Sequence, residues 1–239
     1  MYGHRARIGY TSPPSATEVF PFEFYKMVPD GVTLVIHTLP LTDKSGDEVD
    51  RSYDASERAA RVMARAGIDI MVFGGVPILA SRGFATAEQM LRTTEQAIGR
   101  PVISSASAQR DALKAVGARK VAVVQPYTDD HGERFLDYVR EFGCDPTGWA
   151  SVNSSFIVLG TVDESEVLEA GRTVMRAYPE SDTVHIPCPH FATAGVIDRL
   201  ESEFGINVVT SLQAIVWSAL RTVGIDDKIQ GYGKLLREH

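Results

Sequence analysis

The chain has 239 residues, 44% hydrophobic and 23% charged, which is ordinary globular composition and room for one large α/β domain or two small packed halves. Its net charge of −7 argues against a nucleic-acid partner, which would call for a basic face. No apolar run approaches the roughly 20 residues of a membrane span, and the opening Met1-Tyr2-Gly3-His4-Arg5-Ala6-Arg7 lacks the apolar core of a secretory signal. The two cysteines, Cys144 and Cys188, have no metal-type spacing, so free thiols in a cytoplasmic protein are expected.

Short apolar runs followed by small or polar residues and then by helical periodicity recur along the chain. Residues 7–10 read as a strand that leads into the loop Thr11-Ser12-Pro13-Pro14-Ser15-Ala16-Thr17. Residues 32–39, rich in β-branched side chains, read as a second strand. In residues 53–66, Ala55, Ala59, Val62, Met63 and Ala66 mark one helical face, closed by Gly67. The buried-strand pattern of residues 68–73 stops at Gly74-Gly75. Further helices are expected over 86–98, 105–116 and 129–142, and further strands over 101–103 and 120–124, the last ending at Gln125-Pro126-Tyr127. Strands alternating with helices at this interval predict parallel sheets with helices on both faces and a site at the carboxyl ends of the strands.

An internal echo refines that picture. Ala112-Leu113-Lys114-Ala115-Val116-Gly117 closes one helix and Ala219-Leu220-Arg221-Thr222-Val223-Gly224 another. Each helix follows a strand ending in paired hydroxyls, Ser104-Ser105 and Thr210-Ser211. Ahead of these lie two further matching units, one running from Ile68 to Gly75 and one from Thr183 to Cys188. The expected fold class is therefore α/β, two pseudo-twofold-related βα lobes with parallel sheets flanked by helices and an active site in the cleft between them. Residues 1–117 would form most of the first lobe, with the tail 218–239 packing back on it, and 118–217 most of the second.

The Pro13-Pro14 loop, the strand ending at Gly75, Pro126-Tyr127, the strand ending at Cys188 and the tail Gly231-Tyr232-Gly233 occur in an order and spacing that resembles the arylmalonate decarboxylase and maleate isomerase branch of the aspartate/glutamate racemase superfamily. The resemblance spans nearly the whole chain, from Ile8-Gly9 to Leu235-Leu236. It implies a cofactor-free site that holds a small carboxylate. Racemases and isomerases of that superfamily carry one cysteine per lobe; here the first-lobe position is Gly75 and only Cys188 remains. Proton removal from one face and delivery to the other needs two acid/base groups, whereas protonating a carbanion made by loss of carbon dioxide needs one. The resemblance thus implies decarboxylation of a substituted malonate, with Cys188 as proton donor, Tyr127 as hydrogen-bond donor, and Pro14, Gly75, Val76, Pro189 and His190 in the substrate site.

Departures from the family pattern keep other readings in view. The family's decarboxylases have two hydroxyl residues where this chain has Val76 and Pro77, and glycines after the cysteine where it has Pro189 and His190. Both prolines lack an N–H. His190, Gln125, Ser105 and Ser211 are the candidate replacements as donors, and a charged His190 beside the thiol would lower its pKa. The isomerases' carboxylate-holding asparagine is matched by Ala16. A cis-trans isomerase or racemase with Cys188 as one of two acid/base groups is the alternative, and a non-catalytic carboxylate-binding protein the third. Cys144, at a helix end, reads as structural, and Asp129-Asp130 as a helix cap. No metal pattern and no phosphate loop is present, and the expected assembly is a monomer or small homo-oligomer.

Overall fold

A computed structural model of the chain describes residues 2–42, 46–127 and 132–239. The first lobe runs β1 (Ala6–Pro14), α1 (Val19–Met27), β2 (Val32–Leu41), α2 (Gly46–Arg65), β3 (Ile70–Phe73), α3 (Val76–Ala80), α4 (Phe84–Ile98), β4 (Val102–Ser104) and α5 (Ser105–Ala115). The second runs β5 (Lys120–Gln125), α6 (Gly132–Glu141), β6 (Asp145–Ser151), a 3-10 turn (Phe156–Thr161), α7 (Glu164–Ala177), β7 (Thr183–Ile186), α8 (Ile197–Phe204), β8 (Asn207–Thr210) and α9 (Ser211–Thr222), followed by α10 (Gly233–Glu238).

Each lobe contains one four-stranded parallel sheet, and the strand orders β2-β1-β3-β4 and β6-β5-β7-β8 are the same order twice. All four residues of β3 and of β7 are buried, as central strands covered on both faces require. The lobes share one core: Ala108 and Ala112 of α5 are buried in the same cluster as Leu212, Ile215 and Ala219 of α9. Small residues on these facing helices allow close approach, and each fully buried leucine or isoleucine contributes about 2 kcal/mol. A separate cluster, including Tyr53 and Met63 of α2 with Met71 and Phe73 of β3, fills the first lobe's outer side.

Several elements exceed their sequence expectations for physical reasons. β1 continues four residues past Tyr10, because Pro13 and Pro14 keep the backbone extended while pairing with β2 is interrupted only between Ser12 and Pro14. Helix α2 begins ahead of residue 53, with Asp47 and Glu48 in its first turn where the helix dipole favours acids. The sequence pattern passes over β6 because its Pro146 and Gly148 read as turn residues, which an edge strand tolerates. The anticipated capping by Asp129-Asp130 falls outside the described residues. Of the tail 218–239, expected on the first lobe, α10 lies against α8, α9 and β8. The paired 2.7 Å bonds from Arg5 to Asp227 tie the stretch before α10 to the first lobe.

Candidate active site

The two sheets place equivalent residues with the same register. Phe73, the last residue of β3, pairs with Ser104, and Ile186, the last of β7, pairs with Thr210. Two residues beyond those strand ends stand Gly75 and Cys188. Gly75 caps α3 at φ +87°, a conformation natural to glycine, and a Cβ there would lie 2.7 Å from Cγ of Pro13. Cys188 is 6% exposed and bracketed by Pro187 and Pro189, which fix φ on both sides of the thiol.

Both positions open on a cavity of about 50 Å³ between the lobes, space for roughly three waters. The first lobe supplies Pro13, Leu41, Val49, the segment from Gly75 to Ile78, and Ser105. Phe135, Phe156, Tyr127, Cys188, Pro189, His190 and Ser211 come from the second. No Lys, Arg, Asp or Glu is among these lining residues. Of the residues anticipated from sequence, Gly75, Val76, Ser105, Tyr127, Cys188, Pro189, His190 and Ser211 line the cavity, and Gln125 does not. Pro14 is buried at the end of β1, paired with Leu41, and its neighbour Pro13 takes the wall position. Ala16 is exposed and away from the cavity wall.

The thiol's neighbours are phenols. The Tyr127 side chain is hydrogen-bonded to that of Cys188, and burial, then the negative charge of a Cys188 thiolate, hold its phenol well above the usual range. Tyr10 is wholly buried, stacked on Phe20 with ring centroids 3.8 Å apart, and pushed up by burial and then by Cys188. Both tyrosines are therefore protonated at neutral pH. Gln125 is occupied in fixing Tyr127: its Nε2 donates to the Tyr127 carbonyl and its Oε1 accepts from the Tyr127 N–H, each at 2.8 Å.

His190 behaves neither as a surface histidine nor as a cation beside the thiol. It is 6% exposed, its Nδ1 meets Thr17 Oγ1 at 3.3 Å, and its Nε2 is buried without a partner. Burial pushes its pKa down to about 3, so the ring is neutral. A neutral imidazole offers a hydrogen bond but no charge to depress the thiol's pKa.

Glu23 is a loop anchor that the sequence pattern hid. This α1 carboxylate, 2% exposed, accepts from the backbone N–H groups of Thr193 and Ala194 at 3.0–3.1 Å and from Thr193 Oγ1 at 3.2 Å. The first lobe thereby grips the loop that carries Cys188 into α8. One acid inside the aromatic run Phe20-Pro21-Phe22-Glu23-Phe24-Tyr25 was the available signal. Cys144 is half-buried, with Sγ 3.7 Å from the Ala118 carbonyl, as a structural thiol would be. Among the described residues no three metal-ligating side chains cluster, and no helix is long and apolar enough to cross a membrane.

Comparison with known proteins agrees with this geometry. A maleate isomerase of Nocardia farcinica is 30% identical over 156 residues, 64% of this chain and 60% of the isomerase. The crystal structure of a Pseudomonas putida maleate isomerase superposes with a TM-score of 0.87 at 22% identity, covering 98% of both chains, which is a likeness of fold. Arylmalonate decarboxylase of Bordetella bronchiseptica is 28% identical over 233 residues, 97% of this chain and 96% of that enzyme. A crystal structure of arylmalonate decarboxylase superposes with a TM-score of 0.85 at 28% identity, over 98% of this chain and 100% of that one. The family model for arylmalonate decarboxylase matches residues 8–236, and the chain belongs to that family, within the aspartate/glutamate racemase superfamily.

Proposed function

We propose that the protein is a cofactor-independent decarboxylase of a substituted malonate, with Cys188 as the proton donor. The observation that carries the reading is the pairing of one thiol with one glycine at lobe-equivalent strand ends facing one cavity. A single acid can serve only one face of a planar intermediate. Loss of carbon dioxide leaves the carbon–carbon electron pair on the α-carbon as an enediolate. The Cys188 S–H then transfers its proton to that carbon, and the thiolate regains a proton from water. Tyr127, held protonated, donates to the thiolate in the interval.

The departing carboxylate faces apolar walls built from Leu41, Val49, Ile78, Phe135 and Phe156, which disfavour its charge relative to neutral carbon dioxide. The similarity to a Bordetella bronchiseptica arylmalonate decarboxylase along 97% of the chain supports the same chemistry. The test is carbon dioxide release from a panel of aryl- and alkyl-substituted malonates. Release that vanishes in Cys188→Ala supports the proposal, and silence across the panel sinks it.

One observation favours a second reading, an isomerase or racemase of a small carboxylate. It is the 30% identity to a Nocardia farcinica maleate isomerase over 64% of this chain, and its second acid/base group would have to be a residue other than His190, whose ring, pushed down to about 3, is too weak a base at neutral pH. Solvent deuterium entering an α-position without net reaction would select this alternative. Carboxylate binding with neither outcome would select a non-catalytic binding protein.

A further inference from the structure

The cavity must hold a carboxylate without a cation. Val76 has no polar side chain, and Pro77 and Pro189 have no N–H to offer. Two other features converge on the same space. Helices α5 and α9 pack against each other, and their first residues, Ser105 and Ser211, both line the cavity. Each helix has a capping box: Ser104 Oγ accepts from the Ser107 N–H, and Thr210 Oγ1 from the Gln213 N–H. The caps satisfy third-position amides, which leaves the earlier first-turn amides and the positive ends of two dipoles at the helix ends that Ser105 and Ser211 bring to the cavity.

The side chains complete the arrangement. Ser105 is 1% exposed and its Oγ has no hydrogen-bond partner, a state a buried hydroxyl adopts at a cost unless a ligand answers it. Ser211 Oγ accepts from Gln109 Nε2 at 3.0 Å. The same amide nitrogen donates to the Ser105 carbonyl at 2.8 Å. A carbonyl can only accept, which assigns the NH2 of Gln109 to this side. With its oxygen already accepting, Ser211 has its own proton to donate.

We infer that the N-termini of α5 and α9 form one anion seat, in which Ser105 and Ser211 each donate a hydrogen bond to the retained carboxylate of the substrate, with Gln109 as the positioning residue. The seat lies across the pseudo-twofold axis, with one donor from each lobe. This assignment rests on the proposed carboxylate chemistry, and it replaces the donors absent at positions 76, 77 and 189.

The probe is phenylacetate, a monocarboxylate of the product class, titrated calorimetrically against the full chain, with native thermal unfolding of each variant as a fold check. Ser105→Ala and Ser211→Ala are each expected to weaken binding about tenfold, as loss of a hydrogen bond to a charged group does. Gln109→Glu is isosteric but turns the donor into an acceptor beside Ser211. It should weaken phenylacetate at least as much while leaving affinity for the methyl ester within about threefold, a contrast that a general loss of packing would not give. Wild-type affinity in a folded Ser105→Ala/Ser211→Ala double variant, or in Gln109→Glu, would overturn the seat, as would a wild-type chain that binds no phenylacetate. Serine-dependent binding without carbon dioxide release from any malonate would remove the decarboxylase reading and leave the seat standing. Release with an unchanged KM in the double variant would do the reverse.

Discussion

The two lobes repeat one plan and differ where it matters for chemistry. In the first, two residues beyond β3, stands a glycine at φ +87° that caps the short helix α3. In the second, two residues beyond β7, stands a thiol held between prolines, and the loop behind it runs on to α8 under the grip of Glu23. One strand end is thus bare and the other armed, around a cavity to which both lobes contribute. A repeated scaffold with a thiol at only one of two equivalent positions fits the proposed reaction, which needs protonation from a single side.

The sharpest break in that asymmetry is Cys188→Ala. Turnover of an active malonate should fall about a thousandfold, the usual weight of a general acid, while the thermal midpoint stays within a few degrees. Comparable rates in mutant and wild type would place the proton donor elsewhere.

Acid should strike the second lobe hardest. Burial pushes His185, whose Nδ1 bonds the Val209 carbonyl, down to about 4, and His190 down to about 3. Both sit below an unfolded value of about 6.5, so the unfolded chain binds more protons on acidification. Their neutral forms leave stability intact above pH ~6.5, and it is lost as pH falls toward 4, by on the order of 3 kcal/mol for His185. Urea midpoints measured from pH 7 to pH 4.5 should decline, and His185→Gln should flatten the decline. A wild-type curve that is level over this range would mean that these rings are not held neutral.

Glu23→Ala tests how far the second-lobe loop depends on the first lobe. It leaves the Thr193 and Ala194 amides and the Thr193 hydroxyl without their acceptor, for a loss of about 3 kcal/mol in urea unfolding. A loss below about 1 kcal/mol would show that water replaces the carboxylate easily. Gly75→Ala fills the bare side instead. The strained φ and the contact with Pro13 should cost about 2 kcal/mol, read as a lower thermal midpoint, with a raised KM from the narrowed cavity.

Much of this arrangement was legible in the residues. The echo between Ser104-Ser105 and Thr210-Ser211 pointed to two matching strand-to-helix junctions, and the structure adds that both carry a capping box. The match of Gly75 with Cys188 placed both at strand ends, because buried strands announce themselves by continuous apolar runs. Burial that depends on distant partners was not legible. His190, two residues after the cysteine, reads as a donor to the site, but its burial under Thr17 and Phe20 of the first lobe is not visible in the local pattern. Glu23 and Gln109 acquire their roles from residues 170 and 102 positions away, a distance that no local pattern encodes.

The central claim, one proton from one face, is tested most directly by decarboxylating a malonate with two different α-substituents in deuterium oxide. One deuterium at the α-carbon and a single enantiomer are expected, with both product and rate dependent on Cys188. A racemic product, or deuterium delivered equally to both faces by the wild-type chain, would contradict it.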